Sequence, residues 1–221
     1  MNLPDNLLPA AWCWAGHFLF ALVLGWAVLT APWARLRDEA QQHLWLGACV
    51  ALMALWSIKT GIRPGLNFHL LGATVATLMF GPQLAVIAIA VVLAGITVAG
   101  ESGWQAYSLN ALVMGVTPIA LSYGLFRLIE AKLPNNFFIY VFANAFLGGG
   151  LAMVSTGAVS ALLLFFSGVY TLAYMNEHYL PYFILLAWSE AVTSGAALTL
   201  MVVYSPEWVA TFDDARYIRN K

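Results

Sequence analysis

Charged side chains are scarce in this chain of 221 residues: Asp, Glu, Lys and Arg make up only 9% of it, against about 25% in a soluble domain. Hydrophobic residues make up 62%, and the mean hydropathy is +0.82. The scarcity of charge excludes an ordinary soluble protein and predicts an integral membrane protein. The apolar runs also lack the period-two alternation of barrel strands, so we expect one all-α membrane domain, residues 1–221, surrounded by lipid.

Other absences remove further classes of function. The net charge of −1 gives no sign of a nucleic-acid partner. The two cysteines, Cys13 and Cys49, lie in apolar runs and do not suggest a disulfide framework. The sequence contains no phosphate-binding glycine loop, hydrolase triad or HExxH zinc motif, so we expect neither an enzyme nor a protein that uses ATP by itself.

The apolar runs predict about seven transmembrane helices. They cover residues 10–33, 44–58, 66–80, 84–99, 106–126, 137–172 and 182–204. The sixth run is longer than the roughly 20 residues that one straight crossing needs, and Gly148, Gly149 and Gly150 lie within it. It is therefore either one long helix or two pieces.

Lys and Arg are distributed unevenly between the two sides that seven crossings define. With the N-terminus outside, the outer loops hold Lys59 and Arg63. The inner segments then hold Arg35, Arg37, Arg127, Lys132, Arg216, Arg219 and Lys221. This asymmetry predicts a multi-pass protein of the inner or cell membrane, with the N-terminus outside and the C-terminus in the cytoplasm.

The third predicted helix contains a single ionisable residue, His69, about one turn from its outer end. An ionisable group inside a membrane segment is costly, so it is a candidate functional residue by default. The alternative is a histidine that is hydrogen-bonded to a neighbouring helix.

Three more residues in apolar runs carry reactive or ionisable side chains. Cys13 and His17 are four residues apart and share one helix face, and a thiol with an imidazole suits borderline metals. Two ligands are too few for a site, however, and buried cysteine is commonly an ordinary apolar residue. Glu190 either lines an ion path or forms a hydrogen bond with Ser189 or another helix.

Four segments resemble a known family in their order and spacing. The start MNLPDNLLP is similar to Met-His-Ile-Pro-Asp-Gly followed by Leu-Pro, and HLLGATVATLMFGP contains the family's His-Leu-Leu-Gly. SLNALVMGV is similar to Asn-Ala-x-x-Met-Gly-Val, and SEAVTSGAALTLMVVYSPEWV is similar to the family's last helix. The family is that of the cobalt/nickel-type substrate-binding permeases of energy-coupling factor transporters.

This resemblance implies a metal site made of nitrogen atoms. In that family the metal is held by the N-terminal amine, by the amide nitrogen and imidazole of residue 2, and by the histidine of the His-Leu-Leu-Gly segment. Met1 and His69 match the amine and the second imidazole. Asn2 departs from the pattern, because it stands where the family has histidine.

Two functions are consistent with the resemblance and with asparagine in place of histidine at residue 2. The first is substrate capture for a cobalt- or nickel-like divalent cation, with a separate coupling membrane subunit and a pair of ATPases as partners. The second is an accessory subunit of a larger membrane complex that keeps the fold and has lost the metal site. For the first we expect metal ligation (Ni, Co, Cu or Zn) by Met1, Asn2 and His69, with weaker candidates Asp5, Cys13 and His17.

Overall fold

The computed structural model describes residues 1–219, most of which are helical. The α-helices, numbered here in chain order, are α1 (Ala10–Thr30), α2 (Glu39–Ser57), α3 (Ala73–Phe80), α4 (Pro82–Val98), α5 (Tyr107–Lys132), α6 (Phe137–Phe166), α7 (Leu172–His178) and α8 (Tyr182–Tyr204). Short 3₁₀ helices cover Trp33–Arg37 and Pro206–Trp208, and a π-helical turn covers Ala215–Arg219. An antiparallel hairpin of β1 (Thr60–Arg63) and β2 (Leu66–Phe68) joins α2 to α3.

Among the described helices, four are long and apolar enough to cross a membrane, namely α1, α5, α6 and α8. Helix α3 has 8 residues, which span about 12 Å at 1.5 Å per residue. It is therefore too short to cross a hydrocarbon layer of about 30 Å by itself. A mainly helical membrane fold is confirmed, but the count of seven crossings is not.

The prediction of one helix over residues 66–80 is wrong. Its first part is the strand Leu66–Phe68, which pairs with β1 across the turn at Gly65. Gly65 has φ +78°, which a side chain would disfavour. A second positive φ, +64°, occurs at Gly72, so the helix begins only at Ala73. The His69 side chain therefore lies on the non-helical segment between β2 and α3, and not on a helix.

The sixth apolar run forms one helix that ends at Phe166, six residues before its predicted limit, and this helix is not broken into two pieces. Helix α6 is continuous from Phe137 to Phe166, with π-helical geometry over Tyr140–Leu147. Gly149 and Gly150 pack against α8: a Cβ on Gly149 would lie 3.0 Å from Cβ of Ser194. The glycines thus permit a close approach of two helices and do not break one.

The connecting segments gather at two ends of the bundle. At one end, the Tyr170 hydroxyl donates a hydrogen bond to the Pro64 carbonyl (2.9 Å), and Asn2 contacts the segment after α4. At the other end, Arg35 Nη1 and the Ala210 N–H both donate to the Met79 carbonyl, at 3.0 and 2.9 Å.

The basic residues divide between these two ends. The first end carries Lys59 and Arg63 on and beside the hairpin. The second end carries Arg35, Arg37, Arg127, Lys132 and Arg216. The side chain of Arg219 and the whole of Lys221, which also entered the charge count, lie outside the described residues. The uneven distribution of Lys and Arg that predicts the orientation is therefore a difference between the two ends of the folded bundle.

Candidate metal centre

The first residues of the chain lie inside the protein. Met1 is 0% exposed and Leu3 is 1% exposed, whereas Pro4 and Asp5 are at the surface. The Met1 amino group donates three hydrogen bonds, to the Gly65 carbonyl (3.0 Å), the Asn67 carbonyl (2.7 Å) and Asn67 Oδ1 (2.8 Å). Burial lowers the pKa of this amine well below its usual value of 8.0, because water is excluded from the charge. To bind a metal, the amine would give up one proton and one of these three hydrogen bonds, and the lowered pKa favours that loss.

The side chain of Asn67 attaches the chain start to the hairpin. Its Oδ1 accepts the backbone N–H of Asn2 at 2.7 Å, and its Nδ2 donates to the Asn2 carbonyl at 3.0 Å. One amide side chain thus pairs with the backbone of Asn2 as a neighbouring strand would. The N-terminal backbone is thereby attached to Asn67, which lies two residues before His69 in the sequence.

The side chain of Asn2 is occupied by structural hydrogen bonds. Its Oδ1 accepts from Ser102 Oγ (2.8 Å) and Asn110 Nδ2 (3.0 Å), and its Nδ2 donates to the Glu101 carbonyl (3.1 Å). In this arrangement Asn2 positions the chain start, and its carboxamide has no unpaired polar atom directed at a metal.

Asn110 holds the same segment from the side of α5. It is 0% exposed, its Oδ1 accepts the Leu3 N–H at 2.7 Å, and its Nδ2 donates to the Leu3 carbonyl at 2.9 Å. This pair of bonds satisfies the buried backbone of Leu3 completely. The asparagine of the Asn-Ala-x-x-Met-Gly-Val segment therefore anchors the chain start.

His69 is buried, with 4% exposure, and its ring is fixed at three points. Nδ1 lies 2.9 Å from the Leu70 carbonyl, and because a carbonyl only accepts, Nδ1 carries the hydrogen. Nε2 lies 3.4 Å from Sδ of Met114. The ring also packs against the indole of Trp56, with centroids 5.3 Å apart. The ring orientation is therefore fixed, and Nε2 is the nitrogen available to a metal.

Glu190 supports the segment that carries His69. Its Oε2 accepts the Leu71 N–H and its Oε1 accepts the Gly72 N–H, both at 2.8 Å. The carboxylate therefore occupies the N-terminus of α3, where negative charge is favourable. Its observed partners are backbone N–H groups, whereas the hydroxyl of Ser189 bonds to Leu185 of its own helix.

The weaker candidates lie in other hydrogen-bonded positions. Asp5 Oδ1 accepts the N–H groups of Gln105 and Ala106, at 2.8 and 3.2 Å, just before α5. His17 Nδ1 lies 2.8 Å from Ser108 Oγ, and Cys13 is a buried free thiol. Among the described residues, no group of three or more His, Cys, Asp or Glu side chains could hold a metal ion. A metal at this site would need the amine, an amide or the thioether in addition to His69.

A surface cleft of about 670 Å³ opens onto Asn2 between the hairpin and the segment after α4. Lys59 and Glu101 form an ion pair in this lining, with an N–O distance of 2.6 Å. The hydrogen bond from Lys59 lowers the pKa of the Glu101 carboxyl. This cleft provides a polar approach from bulk water to the chain start.

Sequence reasoning missed the residues that build the site around Met1 and His69. Asn67 carries no sequence signal except that it is a polar residue in an apolar run. In the sequence, Met114 and Asn110 stand out only as part of a family segment. Their contacts with Asn2 and His69 join residues that are far apart in the sequence, so no local pattern indicates them.

A family model, the CbiM cobalt uptake substrate-specific transmembrane region, matches residues 2–208. A provisionally named metal transport protein of Haloquadratum walsbyi is 29% identical over 174 residues, which cover 77% of this chain and 74% of that protein. A provisionally named fused nickel transport protein, NikMN, of Archaeoglobus fulgidus is 27% identical over 131 residues, or 59% of this chain and 43% of that longer protein.

Two solved structures share the fold. One, described as a transition metal transporter, has a TM-score of 0.78 with 20% identity, covering 91% of this chain and 92% of that chain. Another, described as a truncated transition metal transporter, has a TM-score of 0.76 with 19% identity, covering 92% of this chain and 99% of that chain. At these identities the likeness shows the fold alone.

Proposed function

Because the chain belongs to the CbiM family of cobalt uptake transmembrane regions, and so is a membrane component of metal transport and not an enzyme, we propose that it captures a transition-metal cation for uptake. The metal ligands in this proposal are the Met1 amine and His69 Nε2, with Asn2 positioning the chain start. The family metals, cobalt and nickel, are the first candidates.

The observation that carries this proposal is the burial of the chain start beside the His69 segment. A free amino terminus is normally solvated, and burying one without a purpose is costly. Here Met1 is 0% exposed and is hydrogen-bonded to Asn67, next to a cleft that leads to water. Nitrogen ligands of this kind suit Ni(II), Co(II) and Cu(II).

The proposal includes a direction and partners. The end of the bundle with Met1 and His69 carries fewer basic residues, so we place it outside the cell and the C-terminus in the cytoplasm. Since the sequence has no phosphate-binding loop, energy would come from an ATPase pair through a coupling membrane subunit, as in energy-coupling factor transporters. A reporter fused after Lys221 should be active on the cytoplasmic side, and activity on the outer side would contradict the orientation.

A second candidate function is an accessory subunit that has kept the fold and lost the metal. The observation that favours it is the saturated side chain of Asn2, which bonds to Ser102, Asn110 and the Glu101 carbonyl instead of facing a ligand. On this alternative the buried chain start serves only to close the bundle.

Calorimetric titration of the detergent-purified protein separates the two functions. The metals are Ni(II), Co(II), Cu(II) and Zn(II), with Cu(I) added anaerobically, and the proteins are wild type, His69→Ala and Asn2→His. We expect wild type to bind at least one metal at one site per chain, and His69→Ala to lose that binding. His43→Ala is the matched control, because His43 is exposed at the opposite end of the bundle and its loss should change nothing.

The accessory function gives the opposite result for the unmodified protein. Wild type would bind none of the metals, while Asn2→His alone would create Ni(II) or Cu(II) binding, because it supplies the missing imidazole. Absence of binding in all three proteins would also remove the claim that the chain start and His69 form a site.

A further inference from the structure

The thioether of Met114 faces the only lone pair that the His69 ring can offer. Nδ1 of His69 donates to the Leu70 carbonyl, so in the neutral ring Nε2 has a free lone pair. That nitrogen lies 3.4 Å from Met114 Sδ, and a thioether has no hydrogen to donate. Two electron-pair donors therefore converge in a buried position.

Packing alone gives no reason for this convergence. Met114 is 0% exposed and has apolar neighbours, so a leucine would fill its place. If the ring were doubly protonated, it would be a cation whose polar contacts are a carbonyl and a thioether. Neither contact is an anion, so such a cation would be poorly compensated.

The geometry fits a shared metal ion. Taking about 2.0 Å for a metal–nitrogen bond and about 2.3 Å for a metal–sulfur bond, donors 3.4 Å apart subtend about 105° at the metal. This angle is close to tetrahedral and lies between the values of trigonal and square-planar sites. With the Met1 amine, which is hydrogen-bonded to Asn67 two residues before His69, these two ligands would make a low-coordinate site of two nitrogens and one sulfur.

The donor types decide which metal such a site prefers. Thioether sulfur is soft and selects Cu(I) among the biological first-row ions, and imidazole also binds copper. Square-planar Ni(II) requires four donors in a plane, and Asn2 lacks the imidazole that would supply one of them. The thioether is shared with the family segment that contains Met114, so the feature particular to this chain is the missing imidazole at residue 2, which leaves a soft donor set that favours Cu(I) over Ni(II).

We propose that Met114 is a metal ligand with His69, and that the cation captured by this chain is Cu(I). The proposal rests on the proposed function, because it assumes that the buried chain start and His69 form a capture site. It narrows the substrate from transition metals in general to a soft monovalent ion.

The test is an anaerobic competition titration of the detergent-purified chain with Cu(I) and the colorimetric Cu(I) chelator bicinchoninate. We expect Met114→Leu, which conserves volume, to weaken Cu(I) binding by at least about tenfold, since even residues behind the ligands change metal affinity by about 10–100-fold. The matched control is Met79→Leu: Met79 is also buried, at 4% exposure, but lies at the opposite end near Arg35. It should leave Cu(I) affinity unchanged.

X-ray absorption of the copper-loaded wild type gives a second readout that does not depend on a variant folding. In the wild type itself we expect one sulfur scatterer at about 2.3 Å, and its absence would contradict thioether ligation. If wild type binds Ni(II) or Co(II) but its Cu(I) affinity is unaffected by Met114→Leu, the thioether proposal is overturned while metal capture stands. If wild type binds no metal at all, metal capture itself fails. The two failures are therefore distinguishable.

Discussion

Replacing Glu190 should loosen the segment that holds His69 and destabilise the whole bundle. The carboxylate accepts two backbone N–H groups, from Leu71 and Gly72, and is 1% exposed. Hydrogen bonds to a charged group contribute about 1.5–3 kcal/mol each, and a buried donor left without a partner costs a similar amount. We therefore expect Glu190→Ala to lower the free energy of unfolding by about 3–5 kcal/mol.

Glu190→Gln gives a graded version of the same experiment. A carboxamide keeps one acceptor oxygen but turns an NH₂ group toward the second N–H donor. We expect about half of the loss seen in Glu190→Ala, or about 1–3 kcal/mol. Ser189→Ala is the adjacent control, because its hydroxyl bonds within α8, to the Leu185 carbonyl, and is exposed.

Denaturant titration in detergent micelles measures these differences, and metal titration of the same samples reports on His69. We expect both Glu190 variants to bind metal more weakly in the order of their destabilisation, because the segment carrying His69 loses its attachment to α8. An unfolding free energy for Glu190→Ala within about 0.5 kcal/mol of wild type would refute the argument that the carboxylate caps α3.

Three further predictions concern the chain start, helix packing and pH. Asn110→Ala should leave buried backbone at the chain start without partners and cost about 2–4 kcal/mol, seen as lower unfolding free energy and faster N-terminal proteolysis; unchanged proteolysis would contradict the anchoring role. Gly157→Ala should destabilise, because a Cβ there would lie 2.4 Å from the Phe183 ring, whereas Gly124→Ala, with no atom within 4 Å, should stabilise by up to about 1 kcal/mol. Because the ion pair with Lys59 lowers the Glu101 pKa from 4.5, its contribution to stability should be present above that pH and be lost as the pH falls below it. Lys59→Met should remove this pH dependence from the thermal midpoint. If the pH dependence persisted in Lys59→Met, it would not arise from the Lys59–Glu101 ion pair.

The parts of the fold that could be predicted are those set by long apolar runs. Helices α1, α4 and α8 begin and end close to the predicted limits, because burial in lipid rewards any apolar run that can satisfy its own backbone. The start of α2 was placed too late. Asp38 caps that helix by accepting the Ala40 N–H at 3.0 Å, so the helix includes polar residues before the apolar run.

The third apolar run could not be read correctly, because its structure is decided by distant residues. An apolar run of this length does not distinguish helix from strand by periodicity alone. Here Leu66–Phe68 pairs with β1, and the start of α3 is fixed by Glu190, 118 residues after Gly72. Neither contact leaves a local signal in residues 66–80.

The metal ligands of the candidate site stay a prediction, whereas the position of the chain start can be compared with the structure. The resemblance indicated Met1 and His69, and the structure places the amine next to Asn67 on the segment that leads to His69. The role of Asn2 depends on Ser102 and Asn110, which are about a hundred residues away. Met114 can be identified as a candidate ligand only once the orientation of the His69 ring is known, and the sequence does not give that orientation.

The most direct test of metal capture at this site is an anomalous difference map from crystals of the metal-loaded protein, recorded at the absorption edge of the bound metal. A site formed by the chain start and His69 predicts one peak within about 2.3 Å of both the Met1 nitrogen and His69 Nε2. A well-occupied peak elsewhere in the bundle, or no peak after loading at saturating metal, would contradict it.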